Sequence, residues 1–191
     1  MPNVQTGRYN CSTLHICALI LPLRRFTMKV AIGCDEAAYA LKESIKRHLR
    51  ATHPELELVD FGTHSADEAV LYPDIAIEVA QRVAAGEFPR AILLCGTGIG
   101  VAISANKVPG IRAAQCHDTY SAERARRSND AQIVTMGARV IGTELANSIV
   151  DAWLRAEFDG GRSQPKVQRI ADYERRAGLT QAGPNDAHRG S

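Results

Sequence analysis

From residue 29 onward, short apolar runs alternate with stretches whose apolar side chains recur at helical spacing. Residues 29–33 form the first run, and Leu41, Ile45 and Leu49 then fall on one helical face. Residues 56–61 make a second run, closed by Gly62. Pro73 suits a first helical turn, where its missing N–H costs nothing, and Ile75, Val79 and Val83 supply the next stripe. Residues 91–95 read as a third strand that runs into Gly96-Thr97-Gly98-Ile99-Gly100 and from there into a helix. Residues 111–116 read as a fourth strand, with Asp118 as the cap of a helix reaching about Arg127. Residues 133–136 are the fifth strand, Leu145, Ile149 and Trp153 stripe a long helix, and Val167 and Ile170 mark a last one.

Repeated strand–helix units predict a doubly wound, five-stranded parallel α/β sheet of Rossmann-like type, covered on both faces and joined by right-handed crossovers. Ligands in such sheets bind at the carboxyl ends of the strands. Cys34-Asp35-Glu36, Cys95-Gly96-Thr97 and Cys116-His117-Asp118 all stand at those ends. The central cluster combines a thiol with a glycine turn that opens a helix. Glycines let backbone N–H groups approach an oxyanion or phosphate, and helix N-terminal dipoles favour a thiolate that serves as base or nucleophile. A small hydrophobe ending a core strand before a tight turn is the plainer reading of the same residues. The spacing is neither the Gly-x-Gly-x-x-Gly dinucleotide fingerprint nor a phosphate-loop Gly-Lys-Ser/Thr.

The chain has 191 residues, 45% hydrophobic and 23% charged, which bounds it to one globular domain with a full core. A net charge of +2 leaves no basic footprint for nucleic acid. Cys11, Cys17, Cys34, Cys95 and Cys116 are odd in number and lack paired spacing, which points to a reducing cytoplasm rather than a disulfide framework. Residues 14–23 are mostly apolar but too short to span a bilayer, and with Arg24-Arg25 after them they make a poor signal peptide. Because Met28 directly precedes a clean strand, residues 1–27 are expected to be a non-native or disordered extension, residues 28–176 the domain, and residues 177–191 a disordered tail. A zinc site built from Cys34, Cys95, Cys116 and His117 is disfavoured, because no C-x-x-C pair exists and the glycine loop would go unexplained.

The motifs, taken in order, resemble the type B ribose-5-phosphate isomerase family, which also includes galactose-6-phosphate and allose-6-phosphate isomerases. They are Gly33-Cys34-Asp35, Tyr72-Pro73-Asp74, Cys95-Gly96-Thr97-Gly98-Ile99-Gly100, Ala105-Asn106-Lys107, Gly110-Ile111-Arg112-Ala113, Tyr120-Ser121-Ala122, Asn129-Asp130, Gly137-Ala138-Arg139-Val140 and Gly160-Gly161-Arg162. The resemblance implies a three-layer α/β/α fold, a homodimer or dimer of dimers with active sites shared between subunits, and isomerisation of a phosphorylated sugar without cofactor or metal. By the same resemblance Cys95 is the base and Thr97 the hydroxyl that assists proton movement. The Gly96, Gly98, Ile99 and Gly100 loop would bind the developing oxyanion, Asp35 and Asn129 the sugar hydroxyls, and Arg139 and Arg162 the phosphate region.

Four family positions differ. Glu36, Ser128 and Ser163 stand where the family carries histidine, and Lys166 replaces an arginine, keeping charge but losing bidentate geometry. Glu36 would repel a phosphate unless a cation intervenes. Ser128 replaces the histidine thought to open the furanose ring, and a serine is no general acid near neutral pH. A four-carbon 4-phosphate cannot close such a ring, so the erythrulose 4-phosphate/erythrose 4-phosphate pair is an alternative substrate beside ribose 5-phosphate and a six-carbon sugar phosphate. His117, at the same sheet edge, is a possible replacement acid; ending a strand before a helix cap is its plainer role. A non-catalytic partner subunit or a sugar-phosphate sensor is the alternative of another class, and retention of Cys95, Thr97, Asn129 and Arg162 argues against it. The charges of Glu123, Arg124, Arg126 and Arg127 read as a solvated helix face, and Trp153 as packing.

Overall fold

The computed structural model of the chain describes residues 28–179; residues 1–27 and most of the expected tail lie outside the described residues. Strands β1 (Lys29–Cys34), β2 (Glu57–Asp60), β3 (Arg90–Cys95), β4 (Ala113–Gln115) and β5 (Ile133–Gly137) pair in the order β2-β1-β3-β5-β4, all parallel. Helices are α1 (Tyr39–Thr52), α2 (Tyr72–Ala84), α3 (Ile99–Ala105), α4 (Thr119–Asn129), α5 (Thr143–Arg155) and α6 (Gln164–Arg176). Side chains alternate across the central strands, and this sorts the core into two layers. Val30, Ile32, Ile92, Leu94, Val134 and Met136 pack on α1, α4 and α5, whereas Ala31, Ala91, Leu93 and Ile133 pack on α2 and α3. The three-layer arrangement is therefore present.

Local chemistry fixes the helix starts. Pro73 sits in the first turn of α2, and the Asp118 carboxylate caps α4 by accepting the Ser121 N–H at 2.7 Å. Strand β4 is shorter than its apolar run, because the Ile111 N–H turns back to the Val108 carbonyl at 3.2 Å. Its free edge is closed by Asn106, whose carboxamide donates to the Ala113 carbonyl at 2.8 Å and accepts the Ala113 N–H at 2.9 Å. That side chain imitates a neighbouring strand and removes a pairing site. Helix α6 begins at residue 164 and buries none of its side chains. Ala177–Leu179 close it, with the Leu179 N–H on the Glu174 carbonyl at 3.0 Å and Gly178 at φ +65°. Trp153 is fully buried, whereas the α4 charges are less solvated than their pattern implies: Arg126 is largely covered and pairs with Asp130 at 2.5 Å.

Two buried cations tie elements together. Arg90, at the start of β3, donates to the Trp153, Leu154 and Ala156 carbonyls at 3.0, 2.6 and 2.8 Å, filling the open end of α5. Lys42 of α1 is fully buried and donates to both Asp60 oxygens, at 2.8 and 2.9 Å, and to the Thr63 carbonyl at 2.5 Å. Burial alone would raise the Asp60 carboxyl, but the bonds from Lys42 and Lys46 outweigh it and hold the group below the ordinary aspartate range. A depressed folded-state pKa stabilises the fold above the unfolded value of about 3.9, and this contribution disappears as pH falls through the folded value. Asp60→Asn is expected to lose about 3–5 kcal/mol near neutral pH by stranding Lys42. Urea titrations should also show a flatter stability profile for the variant than for wild type as the solution is acidified below the carboxylate range. Equal stability at neutral pH would contradict this account.

Candidate active site

The carboxyl edge of the sheet gathers the ends of β1, β3 and β5 with the chain that leaves β4. Cys95 ends β3 and is buried to 4% exposure, yet its Sγ accepts the Gly98 N–H at 3.1 Å, inside the turn that opens α3. Cys34 and Cys116 differ: burial pushes each thiol up to about 12, with Lys42 partly opposing at Cys34 and Asp118 adding at Cys116. Thr97 is exposed at the loop crest, and its Oγ1 accepts the Ile99 N–H at 3.3 Å. The Gly96 and Thr97 amides have no acceptor among the described residues.

The loop is pressed against β5. A Cβ on Gly98, which has φ +77°, would lie 2.7 Å from the Met136 carbonyl carbon, and one on Gly137 would lie 2.5 Å from that of Thr97. A Cβ on Gly100 would meet the Tyr72 ring at 2.5 Å. Three side chains and amides complete the seat. Thr135 Oγ1 donates to the Gly98 carbonyl at 2.9 Å, Gln115 Nε2 donates to that of Thr97 at 2.8 Å, and the Ala138 N–H donates to that of Cys95 at 3.0 Å. Thr135 and Gln115 were not among the residues singled out from the sequence.

Asp35, at the end of β1, has a carboxylate oxygen that is buried and unpartnered. Burial raises its carboxyl and the neighbouring Glu36 adds to this, while the Ala38 and Ala37 amides and then Arg139 oppose them. The Arg139 guanidinium lies over Gly96, with its Nε 3.5 Å from where a Cβ on that glycine would stand, and the Arg139 N–H donates to the Gly96 carbonyl at 2.9 Å. Glu36 is exposed and forms no ion pair with Arg139 or any other described cation. His117 points its Nε2 at the Gly137 N–H, 3.1 Å away. One copy of the chain therefore brings together Asp35, Glu36, Cys95, Gly96, Thr97, Gly98, Ile99, Gly100, His117 and Arg139.

The remaining candidates lie elsewhere. Asn129 ends α4 and lines a cavity of about 330 Å³ with Arg112, Ala131, Ile170 and Glu174, at the amino edge of β4 and β5. Arg162 and Lys166 follow Asp159, which is tied to Arg127 of α4 at 3.1 Å, and so stand on that same side. Cys95 pairs in register with Gly137, at the other end of β5 from Ile133, so roughly 13 Å of strand separates the two groups at about 3.3 Å per residue. Ser128 is engaged by the Arg124 guanidinium.

A buried thiol on a backbone amide, a glycine loop and an unpartnered carboxylate oxygen thus meet at the carboxyl edge of a parallel sheet, where folds of this kind bind their ligands. The family model described as Ribose/Galactose Isomerase matches residues 30–170, and the chain belongs to this family. A ribose-5-P isomerase B of Listeria innocua is 54% identical over 78% of this chain and 99% of its own. A D-erythrulose-4-phosphate isomerase of Pectobacterium atrosepticum is 54% identical over 77% of this chain and 95% of its own. The solved ribose-5-phosphate isomerase B of Clostridium thermocellum superposes with a TM-score of 0.75 at 47% identity, covering 78% of this chain and 99% of that one. The chain is thus a sugar-phosphate isomerase of this family.

Iodoacetamide is expected to modify Cys95 well before Cys34 and Cys116, as read by peptide mass spectrometry, because burial pushes the other two thiols up to about 12 while the Cys95 sulfur lies in the glycine turn on the Gly98 N–H. Equal or later modification of Cys95 would mark it as an inert core thiol.

Proposed function

We propose that the protein interconverts a phosphorylated aldose and its ketose, of the ribose 5-phosphate/ribulose 5-phosphate type, through a cis-enediolate with Cys95 as the base and no cofactor or metal. The observation that carries this is the Cys95 sulfur, held on the Gly98 amide at 3.1 Å beside two unoccupied amide donors. The thiolate removes the proton from the carbon next to the carbonyl, and the electron pair moves toward the carbonyl oxygen. The Gly96 and Thr97 amides take up that negative charge, and the Thr97 hydroxyl shuttles a proton between the two substrate oxygens. The thiol returns its proton to the neighbouring carbon, so the step balances with no redox partner. The buried oxygen of Asp35 accepts a sugar hydroxyl, and this satisfies a group that is otherwise orphaned.

The phosphate calls for cations that one copy does not place beside Cys95, apart from Arg139. A second copy supplies Asn129, Arg162 and Lys166 across a homodimer or dimer of dimers. Exposed Leu71, Tyr72, Ile99 and Ile103 flank the glycine loop and give that contact an apolar surface. Three buried free thiols suit a reducing cytoplasm. Among the described residues no helix is long and apolar enough to cross a membrane.

A second reading, the four-carbon erythrulose 4-phosphate/erythrose 4-phosphate pair, draws on one specific observation. The side chain in the ring-opening position, Ser128, is a hydroxyl already held by Arg124. The Pectobacterium relative named for that chemistry is as similar as the ribose-5-P isomerase of Listeria.

Proton NMR in deuterated water should show isomer formation and deuterium uptake at the reacting carbon. Cys95→Ser should fold normally and lose about 10²–10⁴-fold in rate. Wild-type turnover by that variant would remove Cys95 from its role. Ribose 5-phosphate and erythrulose 4-phosphate followed side by side choose between the substrates, since exclusive turnover of the four-carbon sugar establishes the second reading.

A further inference from the structure

We propose that His117 is a positioning residue: its Nε2 lone pair anchors the Gly137 amide and so holds the wall against which the Cys95 loop is seated. The proposal rests on the assignment of Cys95 as the base, and it gives His117 a role other than that of a replacement acid.

The ladder between β4 and β5 explains why a side chain is needed. The Cys116 N–H donates to the Thr135 carbonyl at 3.0 Å, and continuing that parallel register would bring the Gly137 N–H to the Cys116 carbonyl. Strand β4 has already ended at Gln115, so the chain turns away before this rung forms. The imidazole takes the place of the missing carbonyl, accepting the Gly137 N–H at 3.1 Å. Gly137 is buried, so an unpaired amide there would carry a desolvation cost.

What this amide controls lies directly on the catalytic loop. Gly137 packs so tightly on Thr97 that even a Cβ would fall 2.6 Å from the Thr97 carbonyl oxygen. The next two amides of the same segment, Ala138 and Arg139, donate to the Cys95 and Gly96 carbonyls at 3.0 and 2.9 Å. A shift of Gly137 therefore moves the Cys95 carbonyl, the Thr97 backbone and the root of Arg139 together. An imidazole nitrogen that accepts an N–H carries a lone pair and no proton, so the neutral ring keeps its hydrogen on Nδ1. In that tautomer Nε2 has no proton to give to a sugar oxygen.

Side-chain topology provides the test. From Cβ, Oε1 of glutamine is as many bonds away as Nε2 of histidine, whereas asparagine reaches only as far as Nδ1. His117→Gln should stay within about threefold of wild-type kcat, whereas His117→Asn should fall about ten- to a hundredfold, as a displaced reacting geometry does. The loss should be the same on ribose 5-phosphate and on erythrulose 4-phosphate, whichever of them is turned over, and the rate of Cys95 alkylation should change in parallel. In the wild-type protein, long-range proton–nitrogen NMR should find Nε2 unprotonated and the proton on Nδ1. Equal losses for glutamine and asparagine, a loss confined to the cyclic sugar, or a protonated Nε2 would each overturn the proposal. The NMR and alkylation readouts need no turnover, so they decide the role of His117 even where the isomerase assignment fails. The wild-type tautomer decides it even where a variant does not fold.

Discussion

The site depends on one close approach, that of the backbone of the glycine loop to the end of β5. Gly98 and Gly137 leave no room for a Cβ on either side of this contact. The distances involve main-chain atoms, which cannot rotate away as a flexible side chain can. Because the two segments touch directly, Thr135, Gln115 and the Ala138 and Arg139 amides can all bond across the gap and fix the loop carbonyls. With those carbonyls fixed, the Gly98 amide meets Cys95 Sγ. The placement of the Cys95 sulfur on the Gly98 amide follows from packing several residues away.

The same fold divides the buried Cys34, Cys95 and Cys116 thiols between two layers of the core. Cys34 and Cys116 point into the layer formed with α1, α4 and α5 and lie against apolar side chains, which raises their pKa. Cys95 belongs to the other layer, beneath the loop, where its sulfur accepts the Gly98 N–H. Strand polarity adds a second separation. Helix α4 runs antiparallel to the strands it connects, so Asn129 at its end stands at the amino edge, as do Arg162 and Lys166 beyond α5, while Cys95 stands at the carboxyl edge. A parallel sheet with short crossovers places such residues a full strand length apart in one copy, and this separation supports the proposal that two copies complete the site.

Much of this was legible in the sequence. Each of the five strands overlaps a run read as strand from the sequence, and Pro73 and Asp118 mark the helix starts they are expected to mark. The loop residues from Cys95 to Gly100 fall where their spacing puts them. Other features leave no such trace. Ile111 looks like strand, but a local turn claims its amide. Thr135 resembles any β-branched residue of a buried strand, and only its partner 37 positions away reveals its use. Arg90 resembles a surface cation before a strand, although its bonds go to carbonyls more than 60 positions on. His117 was visible as chemistry, but its direction was not, because the rung it replaces exists only once β4 and β5 are in register. Arg126 shows the opposite case, a charge that reads as solvated yet bridges Asp130 and Glu157.

The central claim is that the thiol half of the site and the cation half come from different copies of the chain. Subunit complementation tests it most directly. Cys95→Ser and Arg162→Ala proteins, each inactive alone, are mixed and allowed to exchange subunits, and isomerase activity is measured. A shared site predicts recovery to about a quarter of the wild-type rate, because about half of the dimers are then hybrids with one intact site in two. Activity that stays at the level of the separate variants, with exchange verified by mass spectrometry, would contradict the account and place the whole site within one copy.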